Sequence, residues 1–297
     1  MTHVLAVDLG GTSLRVARTS ATGEVVDRVE QPTGGDPGAL LGWMREVGGA
    51  GPVAHAVVGV PGRVDHDHGR LEYAPNLEDG WVDLLDERRL SDALGIETKL
   101  ANDADLAAVG EAWFGAGRAY RDVAYLTVST GIGAGVVTGG VVLHGARSIA
   151  EVGHTIVDGD ALAEGRPATV EELGSGTALD RLAEEAGLDA RGKDLVALVR
   201  GGDEAAAKVL TRVVTAAAIG AVNLAHLFTP EVVVVGGGLG RNGDLVLDPI
   251  RRLLEARGPR SLPRPIDVVE AELGDDAGLA GAGAWHRAFR PEAPAVP

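Results

Sequence analysis

The sequence predicts an α/β protein built from two related halves. Each half opens with an apolar strand, a glycine-rich turn and a second strand, at residues 3–19 and again at residues 123–144. Further apolar strands alternate with helical segments between and after them. The length of 297 residues exceeds the size at which one hydrophobic core usually stops growing. The repeated opening therefore indicates a duplicated α/β unit.

The composition narrows the possible functions. A net charge of −16 gives the wrong field for a protein that binds nucleic-acid phosphates, so we expect no nucleic-acid partner. The chain has no cysteine, which excludes disulfides, a catalytic thiol and thiolate metal ligands. The first residues resemble no secretory signal, and the apolar runs are too short for a membrane span. We expect a cytoplasmic protein without a membrane partner.

The first glycine turn is a candidate phosphate site. A buried strand at residues 3–9 runs into Gly10, Gly11 and Thr12. The backbone N–H groups and the Thr12 hydroxyl of such a hairpin can hold a terminal phosphate, and Asp8 can hold a hydrated Mg²⁺. An ordinary hairpin whose aspartate caps the turn is an equally good interpretation of this motif alone.

The pair Asn102-Asp103 follows a predicted strand at residues 96–100 and precedes a helix that runs to Phe114. Ligands bind at the carboxyl ends of strands in open α/β sheets. Asp103 alone fits an ordinary helix N-cap. Asn102 beside it can offer an amide to a hydroxyl, which favours a ligand site. The upstream run Asp65-His66-Asp67-His68, in a segment predicted as an irregular loop, is better interpreted as a solvated hairpin tip than as a metal cluster.

The second half carries two kinds of chemistry within one stretch. The turn Ser129–Gly135 can present backbone N–H groups to an anion. Glu151 and His154 form a carboxylate–imidazole pair suited to the hydroxyls of a polyol. Further on, Gly236–Gly238 follow a buried strand, where they allow the backbone to approach a flat ring or a phosphate, or make a tight strand-to-helix turn.

The other predicted elements are helices about residues 37–47, 83–94, 170–174, 177–186, 203–228, 245–256 and 277–289 and strands about residues 24–30, 53–60, 132–138, 141–144, 231–235 and 266–270, with a surface loop at 158–168.

These motifs together resemble the ROK family (repressors, open reading frames and sugar kinases). The segment from Val128 to His154 is similar to the family signature, with Gly131-Ile132-Gly133, Gly135, Gly145, Ala150 and Gly153-His154 at matching spacings. The Asp8–Thr12 turn resembles the family's first phosphate motif, Asn102-Asp103 its catalytic motif and Gly236–Gly238 its adenosine motif. Four motifs in the right order cover nearly the whole chain.

The resemblance implies an actin-like, hexokinase-type ATPase fold of two α/β domains with a cleft between them that binds ATP and a sugar. We expect an N-terminal domain at residues 1–105, on which a last helix at about 277–290 packs back, a larger C-terminal domain at 106–276, and a flexible tail at 291–297. It further implies an ATP-dependent kinase for the 6-hydroxyl of a hexose, similar to glucokinases and dimeric. The alternatives are a kinase for an amino sugar (kanosamine or N-acetylmannosamine) or a cyclitol.

The resemblance also assigns roles to residues. Asp103 matches the general base, and the residues that match sugar ligands or border the sugar pocket are Asn102, Glu151, His154, Glu171 and, with a weaker claim, Asn76. The residues that match the nucleotide site are Asp8 (which holds Mg²⁺ through water), Gly10, Gly11, Thr12, Thr130, Gly131, Gly133, Gly236, Gly237 and Gly238.

Two features separate this sequence from other ROK proteins. Many family kinases carry a cysteine-rich zinc loop just before the residue equivalent to Glu171, whereas residues 160–169 contain no cysteine. We therefore expect no structural zinc, and His154 to serve the sugar alone. The family's repressors carry a DNA-binding domain ahead of the first phosphate motif, and here Asp8 stands close to Met1. A non-catalytic sugar sensor remains the alternative from another functional class, and the pair Asn102-Asp103 argues against it.

Overall fold

The computed structural model describes residues 2–11, 13–33, 37–74, 77 and 80–289. The strands are β1 (His3–Leu9), β2 (Ser13–Thr19), β3 (Val25–Pro32), β4 (Val53–Val60), β5 (Arg63–Asp65), β6 (Arg70–Tyr73), β7 (Thr98–Asn102), β8 (Asp122–Val128), β9 (Ile132–Thr138), β10 (Val141–Val142), β11 (Val232–Gly236) and β12 (Asp267–Glu270). The helices are α1 (Ala39–Gly49), α2 (Trp81–Leu84), α3 (Glu87–Leu94), α4 (Asp103–Trp113), α5 (Gly159–Ala163), α6 (Val170–Gly174), α7 (Gly176–Glu185), α8 (Gly192–Arg200), α9 (Glu204–Phe228), α10 (Gly237–Gly240), α11 (Gly243–Arg257) and α12 (Ala277–Ala288).

The two large sheets have matching strand orders. The first sheet runs β3-β2-β1-β4-β7 and the second runs β10-β9-β8-β11-β12. In the first, β1 pairs antiparallel with β2 and parallel with β4, and β4 pairs parallel with β7. In the second, β8 and β11 are parallel, as are β11 and β12. The arrangement predicted at residues 3–19 thus recurs at residues 123–144, and the carboxyl ends of the parallel strands meet at one edge of each sheet.

The chain forms two compact units. Unit 1 contains Met1–Arg121, Gly135–Ile149 and Glu272–Pro297, and unit 2 contains Asp122–Ala134 and Ala150–Ala271. Helix α12 belongs to unit 1 and packs against α4 and β1. The observed boundary follows α4, whereas the sequence placed it near residue 105. The predicted tail at 291–297 lies outside the described residues.

Two glycines bring α4 and α12 into backbone contact within unit 1. A Cβ atom added to Gly281 would overlap the carbonyl of Leu106, and one added to Gly110 would overlap the carbonyl of Ala277. Neither position has room for a side chain unless the helices separate. Close approach of the two backbones therefore depends on glycine at both positions.

A buried carboxylate fixes the entry into this last helix. Glu111 is fully buried and accepts backbone hydrogen bonds from Ala116, Glu272 and Leu273 at 2.8, 3.1 and 2.8 Å. Hydrogen bonds to a charged acceptor are among the stronger ones in proteins. Glu111 thus joins the end of α4 to the segment that leads into α12.

Helix α9 forms much of the core of unit 2. Asp203 caps its N-terminus by accepting a hydrogen bond from the Ala206 N–H at 2.9 Å, and Thr229 ends it in the left-handed conformation (φ 46°). The helix is long and apolar enough to cross a membrane by length and composition. Its buried face packs against α6, α8 and α11, so the packing of unit 2 accounts for the apolar composition.

Several short elements differ from the sequence prediction. The segment predicted as a surface loop at 158–168 contains α5, which Asp158 caps through the Ala161 N–H at 2.8 Å. Helix α8 was not predicted, although Leu195 and Val196 on it are buried. The segment after β4 contains the β5–β6 hairpin. The strands of this hairpin, of three and four residues, are too short for hydrophobic periodicity to reveal.

The run Asp65-His66-Asp67-His68 forms the turn of the β5–β6 hairpin. Asp65 is only 1% exposed, so the predicted solvated tip is wrong at this residue. Its carboxylate lies 2.8 Å from His68 Nδ1 and 3.4 Å from Arg147 Nη2. Burial opposes its ionisation, yet the hydrogen bond with His68 and the charge of Arg147 together lower the pKa of Asp65. Among the described residues, no cluster of three or more metal-ligating side chains occurs here or elsewhere.

His66 makes unfolding dependent on pH. Burial lowers its pKa from 6.5 to about 4; His144 and Arg147 act in the same direction, and Asp65 and Asp67 oppose them. The unfolded chain therefore binds a proton that the folded chain does not bind between these two pH values. The contribution of the neutral His66 to the free energy of unfolding is complete above pH 6.5. It is expected to fall as the pH is lowered towards 4.

Urea unfolding of the wild-type protein and of His66→Phe at several pH values between about 7 and 5 tests this expectation. Phenylalanine preserves a ring beside Phe289, whose centroid lies 4.9 Å from that of His66. The variant is expected to lose less of its free energy of unfolding on acidification. Equal losses in the two proteins would contradict the assignment.

Candidate active site

The first glycine turn lies at the carboxyl end of β1, in unit 1. Gly10 N–H donates to the Ser13 carbonyl at 2.8 Å, which closes the hairpin between β1 and β2. The Thr33 hydroxyl donates to the Gly10 carbonyl at 2.6 Å. Thr33 is a second support for the turn that the sequence did not reveal, because it is 23 residues away from Gly10. Thr12 lies outside the described residues.

Asp8 stands at the end of the same strand and is paired with a cation. Its Oδ2 accepts a hydrogen bond from Arg15 Nη1 at 3.0 Å, and its side chain is 16% exposed. Burial raises the pKa of Asp8, Arg15 opposes the shift, and Asp275 adds to it. A carboxylate with one oxygen engaged by arginine has the donor chemistry for a divalent cation held through water. Asp8 therefore has the chemistry needed to hold Mg²⁺ through water, the role predicted for it.

Asn102 and Asp103 lie at the carboxyl end of β7, where α4 begins. Asn102 is the N-cap: its Oδ1 accepts from the N–H groups of Ala104 and Asp105 at 2.9 and 3.1 Å. Its Nδ2 donates to the Gly62 carbonyl at 3.0 Å. An amide oxygen has two lone pairs and an amide nitrogen has two hydrogens, so one N–H of Asn102 remains for a ligand.

Asp103 is the first residue of α4 and is partly buried, and its Oδ1 accepts from the Ala104 N–H at 2.8 Å. The N-cap that the sequence analysis considered for Asp103 is thus supplied by Asn102. Gly59 in the neighbouring strand β4 allows α4 to start close to the sheet, since a Cβ there would lie 2.8 Å from Leu106 Cδ1. The carboxylate of Asp103 therefore lies at the strand ends of the first sheet, where ligands of α/β proteins bind.

The second glycine turn lies in unit 2, between β8 and β9. Ser129 N–H donates to the Gly131 carbonyl at 3.0 Å, which closes a tight turn. Helix α7 supports this turn: Gly176 N–H donates to the Ser129 carbonyl at 2.6 Å, and the Thr177 hydroxyl donates to the Thr130 carbonyl at 2.9 Å. The sequence does not reveal the contribution of Thr177, because it is 47 residues away from Thr130.

Glu171 reaches the same turn from α6. Its Oε2 accepts a hydrogen bond from the Ile132 N–H at 2.8 Å. A Cβ added to Gly131 would lie 2.5 Å from this oxygen, so a side chain at this position would displace the carboxylate. The predicted sugar ligand is thus also a direct partner of the predicted phosphate turn.

Glu151 precedes a 3₁₀ turn, Val152–His154, in unit 2, and His154 is the last residue of that turn. Glu151 Oε2 and His154 Nε2 are 3.9 Å apart, and the two side chains are 39% and 65% exposed. Gly153 between them packs against the glycine turn and α6, since a Cβ there would overlap the Ile132 carbonyl and lie 3.5 Å from Glu171 Cβ. The structure therefore brings Glu151, His154 and Glu171 to one region of unit 2, next to the second glycine turn.

The third glycine motif lies beside the second. Gly236 ends β11, and Gly237 begins α10 with φ 85°. A Cβ on Gly237 would lie 2.5 Å from the Val128 carbonyl and 2.7 Å from Thr127 Oγ1. The motif forms a tight turn between β11 and α10, next to the carboxyl end of β8, and Gly238 has no atom within 4 Å of its Cβ position. The turn therefore leaves an open backbone surface at Gly238.

The cysteine-free segment before Glu171 is held by hydrogen bonds. Thr169 and Glu172 form a capping box at the start of α6, and Val157 N–H donates to the Ala168 carbonyl at 2.8 Å. Glu172 also accepts from the Ala168 N–H at 3.0 Å, and these bonds lower its pKa. These contacts fix the backbone that carries Glu171. Asn76, the remaining predicted site residue, lies outside the described residues.

Two sheets of matching strand order, each with a glycine turn at the end of its first strand, define an α/β protein of the actin-like, hexokinase-type ATPase fold. The α/β class and this fold, predicted from the sequence, are confirmed. The chain belongs to the ROK family, whose sequence profile matches residues 4–288.

Similar proteins agree with this assignment. The chain is 34% identical to a glucokinase of Thermotoga maritima over 94% of this chain and 95% of the relative. The structure of a ROK hexokinase from Thermus thermophilus matches with a TM-score of 0.80 and 31% identity, covering 95% and 97% of the two chains. A ROK family glucokinase from Streptomyces griseus, in complex with glucose and AMPPNP, matches with a TM-score of 0.80 and 29% identity, covering 95% and 98%.

Proposed function

We propose that this protein is an ATP-dependent sugar kinase that transfers the γ-phosphoryl group of ATP to the 6-hydroxyl of a hexose, as a glucokinase does. The observation that carries the proposal is the carboxylate of Asp103 at the junction of β7 and α4, in a chain 34% identical to a glucokinase over nearly its full length. The glucose and AMPPNP bound to the Streptomyces griseus relative support a sugar and a nucleotide as the two ligands.

Phosphoryl transfer requires alignment and charge stabilisation more than covalent help from the protein. In the proposed reaction, Asp103 accepts the proton of the primary hydroxyl while that oxygen attacks the γ-phosphorus in line. The O–P bond to the sugar forms as the bond between the γ-phosphorus and the bridging oxygen breaks, and ADP leaves. The hydrogen bond from the Ala104 N–H orients the carboxylate of Asp103 for this step.

The glycine turns supply backbone N–H groups to the phosphates. In the turns Gly10–Thr12 and Thr130–Gly133 they are assigned to phosphate oxygens, except for the Gly10 and Ile132 N–H groups, which bind the Ser13 carbonyl and Glu171. The N–H groups of Gly236–Gly238 are assigned to the adenosine part of the nucleotide. Backbone donors already held by a folded turn need no reorganisation as charge develops. Mg²⁺, held through water by Asp8, would neutralise charge on the β and γ oxygens.

Sugar selectivity is assigned to polar side chains. Asn102, Glu151, His154 and Glu171 would each pair with a hydroxyl, and Asn76 is assigned a lesser role in sugar recognition. A sugar that lacks one of these hydroxyls leaves a polar group of the protein unpaired, which reduces kcat/KM strongly. We further propose that the enzyme works in the cytoplasm as a homodimer, as the family resemblance implies.

The test measures ATP consumption in a coupled assay with no sugar and with glucose, kanosamine, N-acetylmannosamine and a cyclitol. The expected result is ATP consumption that requires sugar and is fastest in kcat/KM with glucose, and a product whose phosphorus couples to the C6 protons in NMR. A higher kcat/KM with an amino sugar or the cyclitol would show that this compound, and not glucose, is the substrate. Sugar binding without ATP consumption would overturn the proposed kinase activity and would support a non-catalytic sugar sensor.

A further inference from the structure

The carboxylate of Glu171 joins two parts of unit 2 that have different proposed ligands. Its Oε2 accepts the Ile132 N–H at 2.8 Å, inside the turn proposed for phosphate. The same side chain is proposed to bind a sugar hydroxyl. A carboxylate has two oxygens and about four acceptor positions, so a sugar hydroxyl can bind Glu171 while the Ile132 N–H stays bound.

Neighbouring glycines leave the room that the Glu171 side chain occupies. A Cβ on Gly131 would be 2.5 Å from Oε2, and a Cβ on Gly153 would be 3.5 Å from Glu171 Cβ. The turn and the 3₁₀ segment therefore pack directly on the side chain, and a displacement of the carboxylate changes the support of the Ile132 N–H.

The backbone of Glu171 is fixed independently of its side chain. The capping box of Thr169 and Glu172 starts α6, and Ser175 N–H donates to the Glu171 carbonyl at 3.2 Å. Among the described residues, the other hydrogen bonds from the α6–α7 segment to the turn are made by α7, through Gly176 and Thr177. Glu171 is the charged side chain of this segment that bonds to the turn.

We propose that Glu171 couples the two ligands, so that a sugar bound at Glu171 strengthens the binding of nucleotide phosphates at the turn. A hydroxyl that donates to one oxygen restricts the rotation of the carboxylate and thereby orders the Ile132 N–H held by the other oxygen. The nucleotide then binds a turn that is already ordered, which gives positive cooperativity. By linkage, the nucleotide strengthens sugar binding by the same factor. The inference rests on the proposed function and makes Glu171 a positioning residue for the phosphate turn.

The test measures AMPPNP affinity by calorimetry with and without saturating glucose, and the ratio of the two dissociation constants is the coupling factor. Wild-type protein is expected to bind AMPPNP about fivefold or more tightly with glucose present. Gly131→Ala, whose new Cβ displaces Oε2, is expected to reduce the factor to near one, and Glu171→Gln to reduce it in part because a neutral acceptor bonds more weakly.

Thr177→Val is the matched control, since it removes a hydrogen bond to the same turn at Thr130 and leaves Glu171 in place. It is expected to keep the wild-type coupling factor even if AMPPNP binds more weakly. Circular dichroism melts establish that the variants are folded. A factor of one in the wild type, an unchanged factor in Gly131→Ala, or an equal loss in Thr177→Val would overturn the coupling. Glucose-dependent ATP turnover separates the two failures: its absence contradicts the proposed function, whereas turnover with a factor of one contradicts only the coupling.

Discussion

Replacing Asp103 with asparagine is expected to lower kcat by a factor of about 10² to 10⁴, the usual cost of removing a general base. Asparagine has nearly the same shape, and its side-chain oxygen can still accept from the Ala104 N–H, which Asp103 binds at 2.8 Å. Asn102 continues to cap α4, so the helix is retained. The amide cannot accept the proton of the sugar hydroxyl. Steady-state kinetics should show the loss in kcat, and calorimetry should show that sugar binding persists.

Asp92→Asn is a matched control for this experiment, because it makes the same chemical change at an exposed position on α3 in the same unit. The control is expected to keep the wild-type kcat. A near wild-type kcat in Asp103→Asn would show that another group accepts the proton. Loss of sugar binding in that variant would indicate a role for Asp103 in binding instead.

The second large effect is expected on stability, from Gly281→Ala. A Cβ at this position would overlap the Leu106 carbonyl and lie 2.9 Å from the Gly110 nitrogen, so α12 must move away from α4. Overpacking a close contact typically costs about 1–3 kcal/mol and occasionally more. We expect the free energy of unfolding, measured in urea, to fall by at least this amount.

Gly42→Ala provides the comparison. Gly42 lies in α1, and nothing approaches within 4 Å of its Cβ position. Alanine in a helix with free space is expected to stabilise the protein by about 0.4–1 kcal/mol, because it restricts the unfolded chain. The two variants make the same substitution with opposite expected signs. Equal unfolding midpoints for Gly281→Ala and the wild type would show that the helices separate at no cost.

Local sequence patterns determined most of the secondary structure and the positions of the chemical motifs. Continuous apolar runs predicted β1, β4 and β8, because strands buried on both faces are apolar throughout. Helical spacing of apolar residues predicted α9, because one face of that helix is buried. The glycine turns were visible for a similar reason, since glycine marks positions where the backbone is crowded or has positive φ, as at Gly237. The order of these motifs was sufficient to indicate the family.

The tertiary structure alone decided which groups pair with which. That Asn102 donates to the Gly62 carbonyl, and that Glu171 binds the Ile132 N–H, depends on contacts across 40 and 39 residues. The return of α12 to α4, with Gly110 against Ala277, is a contact between distant parts of the chain. A local sequence pattern indicates whether a residue is buried. It does not indicate which residue packs against it, because that contact depends on how whole helices and strands pack together. The motifs can therefore be recognised from the sequence, whereas their hydrogen-bond partners can be identified only from the folded structure.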